Sequence, residues 1–233
     1  MNPTMSRNLQ SVAALALLSL ACTQQASAHW LDGHNYASIE LGSNRASQQN
    51  LYQQGFNFVN IGFDNGFKFA SARGIAAGRS LDIGLRIELS YSQRSNDIQS
   101  FGNRLYDGGG VLTGEGKEQL KSGLVNLWYD FDLKPLGLPI KPYIGAGLGR
   151  GSLEVKGLAA GGVSFGDASA NVDVHQWGFG VSWDVSEAMT LDLGHRRLRT
   201  STGGFGSIPN IPPGNVEARY RAFTTQLGLR LKF

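Results

Sequence analysis

One cysteine, Cys22, stands in the 233 residues, and it falls near the N-terminus. No disulfide framework can be built from it, so the fold must be held by packing and backbone hydrogen bonds. Long apolar runs are lacking too. The longest, from Val12 to Ala21, is roughly half of the ~20 residues a bilayer-spanning helix requires. Charge of one sign is also scarce: 21 Lys and Arg face 18 Asp and Glu, a formal net charge of +3. With no basic cluster, that balance argues against nucleic acid as a partner. Proline is sparse at 7 residues while glycine reaches 32, a composition that is neither disordered nor collagen-like. Mean hydropathy of −0.18 is that of a soluble protein. A barrel whose lipid-facing and lumen-facing residues alternate averages to the same value, so this number excludes neither class.

The N-terminus reads as a targeting segment. Arg7 supplies a positive start, Val12 to Ala21 a short apolar stretch, and Ala26-Ser27-Ala28 a small-residue cleavage site before His29. The expected division is therefore a signal peptide over residues 1–28 and one exported domain over 29–233. Cys22 lies inside the leader. Ser19-Leu20-Ala21 before it is a poor lipoprotein match, which favours cleavage after Ala28.

The last stretch, Tyr220 to Phe233, alternates strictly. Phe223, Thr225, Leu227, Leu229, Leu231 and Phe233 share one face; Ala222, Thr224, Gln226, Gly228, Arg230 and Lys232 share the other. Similar alternation predicts strands over Tyr36–Gly42, Gly66–Ala77, Leu81–Arg94, Leu120–Phe131, Lys141–Val155, Val172–Val185 and Met189–Arg199. Between them, long polar segments (Ser43–Asn65, Ser95–Gln119, Lys156–Asn171, Thr200–Val216) take turns with short connections at Gly78–Ser80, Asp132–Pro139 and Ser186–Ala188. Phe56–Phe63 has strand character, and the even strand count of such barrels places it as an extension beyond the membrane. The pattern is all-β: an eight-stranded antiparallel up-and-down transmembrane β-barrel, with long loops at one end and short turns at the other.

Alternation alone does not say which face is out, since a lipocalin-like barrel keeps its apolar face inside. Three features favour lipid outside. The polar faces carry opposite charges, Glu40, Arg86, Glu88, Asp192, Arg196 and Arg230, that can neutralise one another in a narrow interior. They also carry glycines at 84, 178, 180, 194 and 228, leaving room for long side chains. Finally, Tyr91, Tyr129, Phe131, Trp183 and Phe233 sit near strand ends on the apolar parity, as interfacial girdles do.

Lys141-Pro142-Tyr143-Ile144-Gly145-Ala146-Gly147-Leu148-Gly149, the hairpin from Gly180-Val181-Ser182-Trp183-Asp184 through Leu191-Asp192-Leu193-Gly194, and the Phe-terminated last strand resemble the small outer-membrane barrels of the opacity-protein and surface-antigen group. The resemblance implies an integral protein of the outer membrane of a Gram-negative bacterium. It also implies that the final strand, through Tyr220, Leu227, Leu229, Leu231 and Phe233, is similar to the signal read by the barrel-assembly machinery. One departure stands out: where the family usually has tyrosines after Leu193-Gly194, this chain has His195 and Arg197.

Several side chains suggest chemistry. Arg197, Arg219 and Arg221 share the outward parity near the long-loop end, at one height, where they could hold lipopolysaccharide phosphates bidentately; the alternative is that they are simply solvated above the membrane. The inward charges are expected to plug the lumen, with Glu40 and Arg230 paired across the seam between the first and last strands; the alternative is a gate in a narrow, porin-like channel. A lipid A-modifying enzyme is the other alternative; Thr200 and Ser201 lie near His195, but His195-Arg196-Arg197-Leu198 does not present a serine two residues on, as deacylases of that sort do. His29, Asp32 and His34 could ligate a metal, but scattered polar residues in a tail are the simpler reading. Gly145, Gly147 and Gly149 lack nucleotide-loop spacing. The expectation is a structural and surface-interaction protein, not an enzyme, without cofactor or metal. Its partners are outer-membrane lipids, lipopolysaccharide, the assembly machinery and an unidentified extracellular loop ligand.

Overall fold

The computed structural model describes residues 32–53, 56–66, 68–69, 71–103, 110–206 and 215–233; the expected leader, with Cys22 and His29, lies outside them. Twelve strands are described. In chain order they are β1 (Gly33–Ala46), β2 (Gln49–Gln53), β3 (Phe56–Phe63), β4 (Ala72–Leu81), β5 (Leu85–Asn103) and β6 (Val111–Asp130). They continue as β7 (Ile140–Ala160), β8 (Val163–Asp184), β9 (Met189–Thr200), β10 (Gly203–Gly204), β11 (Val216–Ala218) and β12 (Arg221–Lys232). Eight of them close a ring of antiparallel pairs, β1-β4-β5-β6-β7-β8-β9-β12, and β12 returns to β1. Within the ring each strand has a partner on both sides, while β8 runs on beyond the end of β9, its residues 163–173 paired with β7.

The other four strands build an extension at one end. β3 pairs with the far half of β5, β2 with β3 and β11, and β10 with β11. Phe56–Phe63 is thus an added strand outside the ring of eight, consistent with the even count.

Two boundaries differ from expectation. The first short turn lies at residues 82–84, between β4 and β5, not at Gly78–Ser80. Gly84 is therefore a turn residue with φ of 85°, not a lumen glycine, and its missing Cβ avoids the Asp130 carbonyl. Second, most of the segments expected as loops are strand. β5 and β6 run on to Asn103 and from Val111, and β7 and β8 meet in a tight turn at Gly161 and Gly162, both at positive φ. The cause is a reversal of polarity along the same strands. On β6, Val125, Leu127 and Tyr129 are exposed outward, whereas nearer the long end the outward positions carry Gln119 and Lys121. On β8, Trp177, Phe179, Val181 and Trp183 give way outward to Asn171, Asp173 and His175.

The apolar outward band also includes Ile39, Leu41, Ile75, Ile87, Ile144, Leu148, Leu191, Leu193, Leu227 and Leu231, all exposed. A continuous apolar girdle of this extent is unsustainable in water and marks the lipid-spanning zone. Tyr129, Phe131, Trp183 and Phe233 edge it at the short-turn end. Beyond its opposite edge the barrel is inverted, polar outside and apolar inside. Its interior there is a packed core of Leu51, Ile61, Phe101, Leu120, Leu153 and Val174, among others.

Candidate functional site: lumen and outer rim

Within the lipid-spanning zone the inward face is polar, as alternation requires. Arg196 Nη2 lies 2.5 Å from Glu40 Oε1, Arg230 Nη2 2.6 Å from Asp192 Oδ1, and Arg86 Nε 2.7 Å from Asp130 Oδ2. Glu88 accepts from Tyr36 Oη at 3.0 Å, Asn126 Nδ2 at 2.9 Å and Trp128 Nε1 at 3.1 Å. Aromatic rings fill the gaps between the guanidiniums. Arg86 stands 5.0 Å over Tyr143, Arg196 4.9 Å over Trp128 and Arg230 5.0 Å over Tyr36, while Trp128 and Tyr143 meet edge to face at 5.6 Å.

All six residues singled out from the sequence face this interior, but one pairing differs. Glu40 and Arg230 do not pair. Glu40 lies opposite Gly228, and Arg230 lies opposite Ser38, one inward position nearer the short-turn end; each charge instead reaches a residue of β9. Parity places a residue on the right face without giving its height on a tilted neighbour. Tyr36, Trp128, Asp130 and Tyr143 were missed. The signal was present, because each is a large or charged side chain on the inward parity.

A second polar layer lies above. Tyr220 Oη donates to Asn96 Oδ1 at 2.8 Å and accepts from Asn44 Nδ2 at 2.7 Å; Arg94 donates to Ser92 and Thr224. Tyr220 is thus buried inside the barrel, while Leu227, Leu231 and Phe233 are exposed on the outer face with Leu229 half-buried. The expected terminal signal therefore does not share one surface: Tyr220 belongs to the inner parity. Higher still, Glu118 of β6 is fully buried next to the apolar core, and the Gln49 amide faces it without closing a hydrogen bond. Loss of water pushes its pKa up to about 8.

Outside, just beyond the apolar band, cations gather. Arg199 of β9 lies opposite Arg221 of β12 on one side and His175 of β8 on the other; Arg197 and Arg45 both lie opposite Phe223. Arg197 covers the Phe223 ring at 5.2 Å, and Arg219 Nε donates to Thr202 Oγ1 at 2.6 Å. Among the described residues, none of these five arginines has a carboxylate within 4 Å. The three arginines singled out from the sequence are not at one height: Arg197 sits level with Phe223, and Arg221 and Arg219 follow successively farther out. His195 faces outward with Nδ1 3.0 Å from Thr225 Oγ1, its ring beside those of Phe179 and Phe223. At the opposite end, burial and the cations Lys232, Arg230 and Lys141 hold His34 below its usual pKa.

The family described as outer membrane protein beta-barrel domain matches residues 13–233. Among solved structures, OprG from Pseudomonas aeruginosa is similar at 11% identity and a TM-score of 0.51, covering 89% of this chain and 99% of that one. A major outer membrane protein from Thermus thermophilus is similar at 13% identity and a TM-score of 0.51, covering 85% and 99%. Neisserial surface protein A shares 20% identity at a TM-score of 0.44, covering 87% and 100%. No curated protein matches the sequence.

Proposed function

The chain belongs to the outer membrane protein beta-barrel family, and from that premise we propose that it is a non-conducting, non-enzymatic anchor whose long end serves surface interactions. The observation that carries this reading is the filled lumen. Three arginine–carboxylate pairs and the rings of Tyr36, Trp128 and Tyr143 occupy the cross-section, as expected for an interior that eight strands leave just wide enough for side chains. The long end, on the side away from the Phe233 girdle, faces the cell exterior and presents the loop regions to an extracellular ligand. Residues 1–28 direct export and are then removed, and Leu227, Leu229, Leu231 and Phe233 offer the assembly machinery an outward apolar edge.

The outward arginines Arg197, Arg219 and Arg221, joined by Arg45 and Arg199, contact the phosphates of lipopolysaccharide. Guanidiniums without a carboxylate partner among the described residues, set at the edge of an apolar band, suit bidentate phosphate recognition. His195 packs between aromatic rings with a threonine hydroxyl as partner, a setting that supports packing over acyl-group chemistry.

Planar-bilayer recording tests the plug, with no steady conductance as the expected result; a large steady conductance overturns it. Mass spectrometry of lipid A from cells with and without the protein is expected to show no difference.

A further inference from the structure

The outer wall above the arginines is not flat. Asn50, Tyr52, Thr202, Glu217, Arg219 and Arg221 are among the residues that line a cavity of about 370 Å³. That volume lies within the range of small-molecule sites, roughly 300–1,000 Å³. Its wall is built on strands rather than on loop tips: Glu217 of β11 is the register partner of Tyr52 of β2. The chemistry is hydrogen-bonding throughout. Asn50 Nδ2 donates to Tyr52 Oη at 3.3 Å, Glu217 accepts from Asn215 at 3.2 Å, and Thr202 accepts from Arg219. Amides, a carboxylate and hydroxyls that both donate and accept suit a ligand rich in hydroxyl groups. Tyr52 adds a ring beside them, and Arg219 and Arg221 supply positive charge without a carboxylate partner among the described residues.

Position identifies the source of such a ligand. Along the outer wall, exposed Leu227 and Phe223 are followed by Arg221 and then by Arg219 at the cavity, with about 7 Å between alternate residues of a strand. Apolar wall, cationic belt and polar cavity thus follow the order of acyl chains, phosphates and sugars in an outer-leaflet glycolipid. We propose that this cavity binds an acidic sugar of the membrane's own glycolipid, immediately above the phosphates held by the arginine belt. The proposal deepens the lipopolysaccharide reading above and rests on it for the placement of the lipid.

The full chain in nanodiscs, titrated with lipopolysaccharide bearing its acidic inner core or with lipid A alone, tests it. The wild type is expected to prefer the core-bearing form by about tenfold, the scale of one well-made polar contact. The combined Tyr52→Ala, Glu217→Ala and Arg219→Ala variant should bind both forms equally, with its heat-modifiable gel mobility unchanged. Arg197→Ser with Arg199→Ser should weaken both forms by one factor and keep the preference. A cavity variant that retains the tenfold preference, or a wild type that shows none, overturns the sugar site. An arginine variant that loses nothing overturns the phosphate contact while the cavity result still decides the sugar. Galacturonate added to plain phospholipid nanodiscs is expected to bind weakly; binding as tight as that of core-bearing lipopolysaccharide overturns the assignment to a lipid-borne sugar.

Discussion

Arg196 on β9 reaches Glu40 on β1 at 2.5 Å although β12 runs between their strands. Gly228 of β12 is the register partner of both Glu40 and Asp192, and a Cβ there would stand 3.3 Å from the Asp192 Cβ and 3.7 Å from the Glu40 Cγ. The absent side chain leaves room for two carboxylates, each with its own arginine. The pairing ties three consecutive strands together at the seam where the first and last strands meet.

Glu40→Leu should therefore cost far more than a surface pair. It leaves the Arg196 charge buried among Trp128 and Tyr143, at about 3–5 kcal/mol for a broken buried pair. Glu40→Leu combined with Arg196→Met should cost less than the sum of the single changes, because it removes both desolvated charges. Unfolding midpoints of the four proteins in urea with lipid vesicles give the coupling directly.

Gly180 should not tolerate a side chain. A Cβ there would stand 2.4 Å from the Leu193 carbonyl oxygen and 2.5 Å from the Tyr143 hydroxyl. Tyr143 could rotate away, but the carbonyl belongs to the β8–β9 ladder. Gly180→Ala is expected to cost about 1–3 kcal/mol, the usual range for overpacking. Adding Tyr143→Phe should recover only part of the loss. Full recovery in the double variant would mean that the ladder is not what resists the change.

Glu118 makes stability depend on pH. Its carboxyl, flanked by outward Lys117 and Gln119, lies beyond the lipid band, and its pKa rises from 4.5 to about 8 on folding. Below pH 4.5 it is neutral in both states and costs nothing through ionisation. Between pH 4.5 and 8 the folded state holds a proton that the unfolded state has lost, so stability falls as pH rises, by at most about 1.4 kcal/mol per unit. Above pH 8 the full penalty persists. Glu118→Gln should therefore stabilise most above pH 8 and least below pH 4.5, read as thermal midpoints in detergent across that window.

Much of the ring was legible because lipid imposes a strong rule on a strand. Where one face meets hydrocarbon, the apolar parity cannot break, and β9, β12 and the lipid-facing half of β8 lie within a residue of where alternation predicts them, while β8 starts nine residues earlier, at Val163. The added strand Phe56–Phe63 was legible for a different reason, since an even ring left no place for it among the membrane strands. Beyond the lipid that rule inverts. Leu120, Leu153 and Val174 turn inward to a core while Lys121, Glu154 and Asp173 face water, and the weak alternation of Ser95–Gln119 and Lys156–Asn171 read as loop.

The first turn falls later than alternation predicts, because Leu81 and Ile83 continue a pattern that the backbone does not follow. Leu81 ends β4, and Ile83 lies in the turn at residues 82–84. Tyr220 has the parity of Ala222 and Thr224 rather than that of the outward terminal signal. The structure buries it between Asn44 and Asn96.

The chain's alternation by itself determined which side chains share a face, because a strand's side-chain period is two whatever its neighbours do. That was enough for an eight-stranded barrel, for an inward set of Glu40, Arg86, Glu88, Asp192, Arg196 and Arg230, and for outward arginines near one rim. Only the tertiary structure decided who meets whom. Strand tilt and register set height in the lumen, so Glu40 pairs with Arg196 rather than Arg230 and the cavity at Tyr52 forms between strands far apart in sequence. Pairing at a distance depends on where neighbouring strands stop and start, and no single strand carries that information.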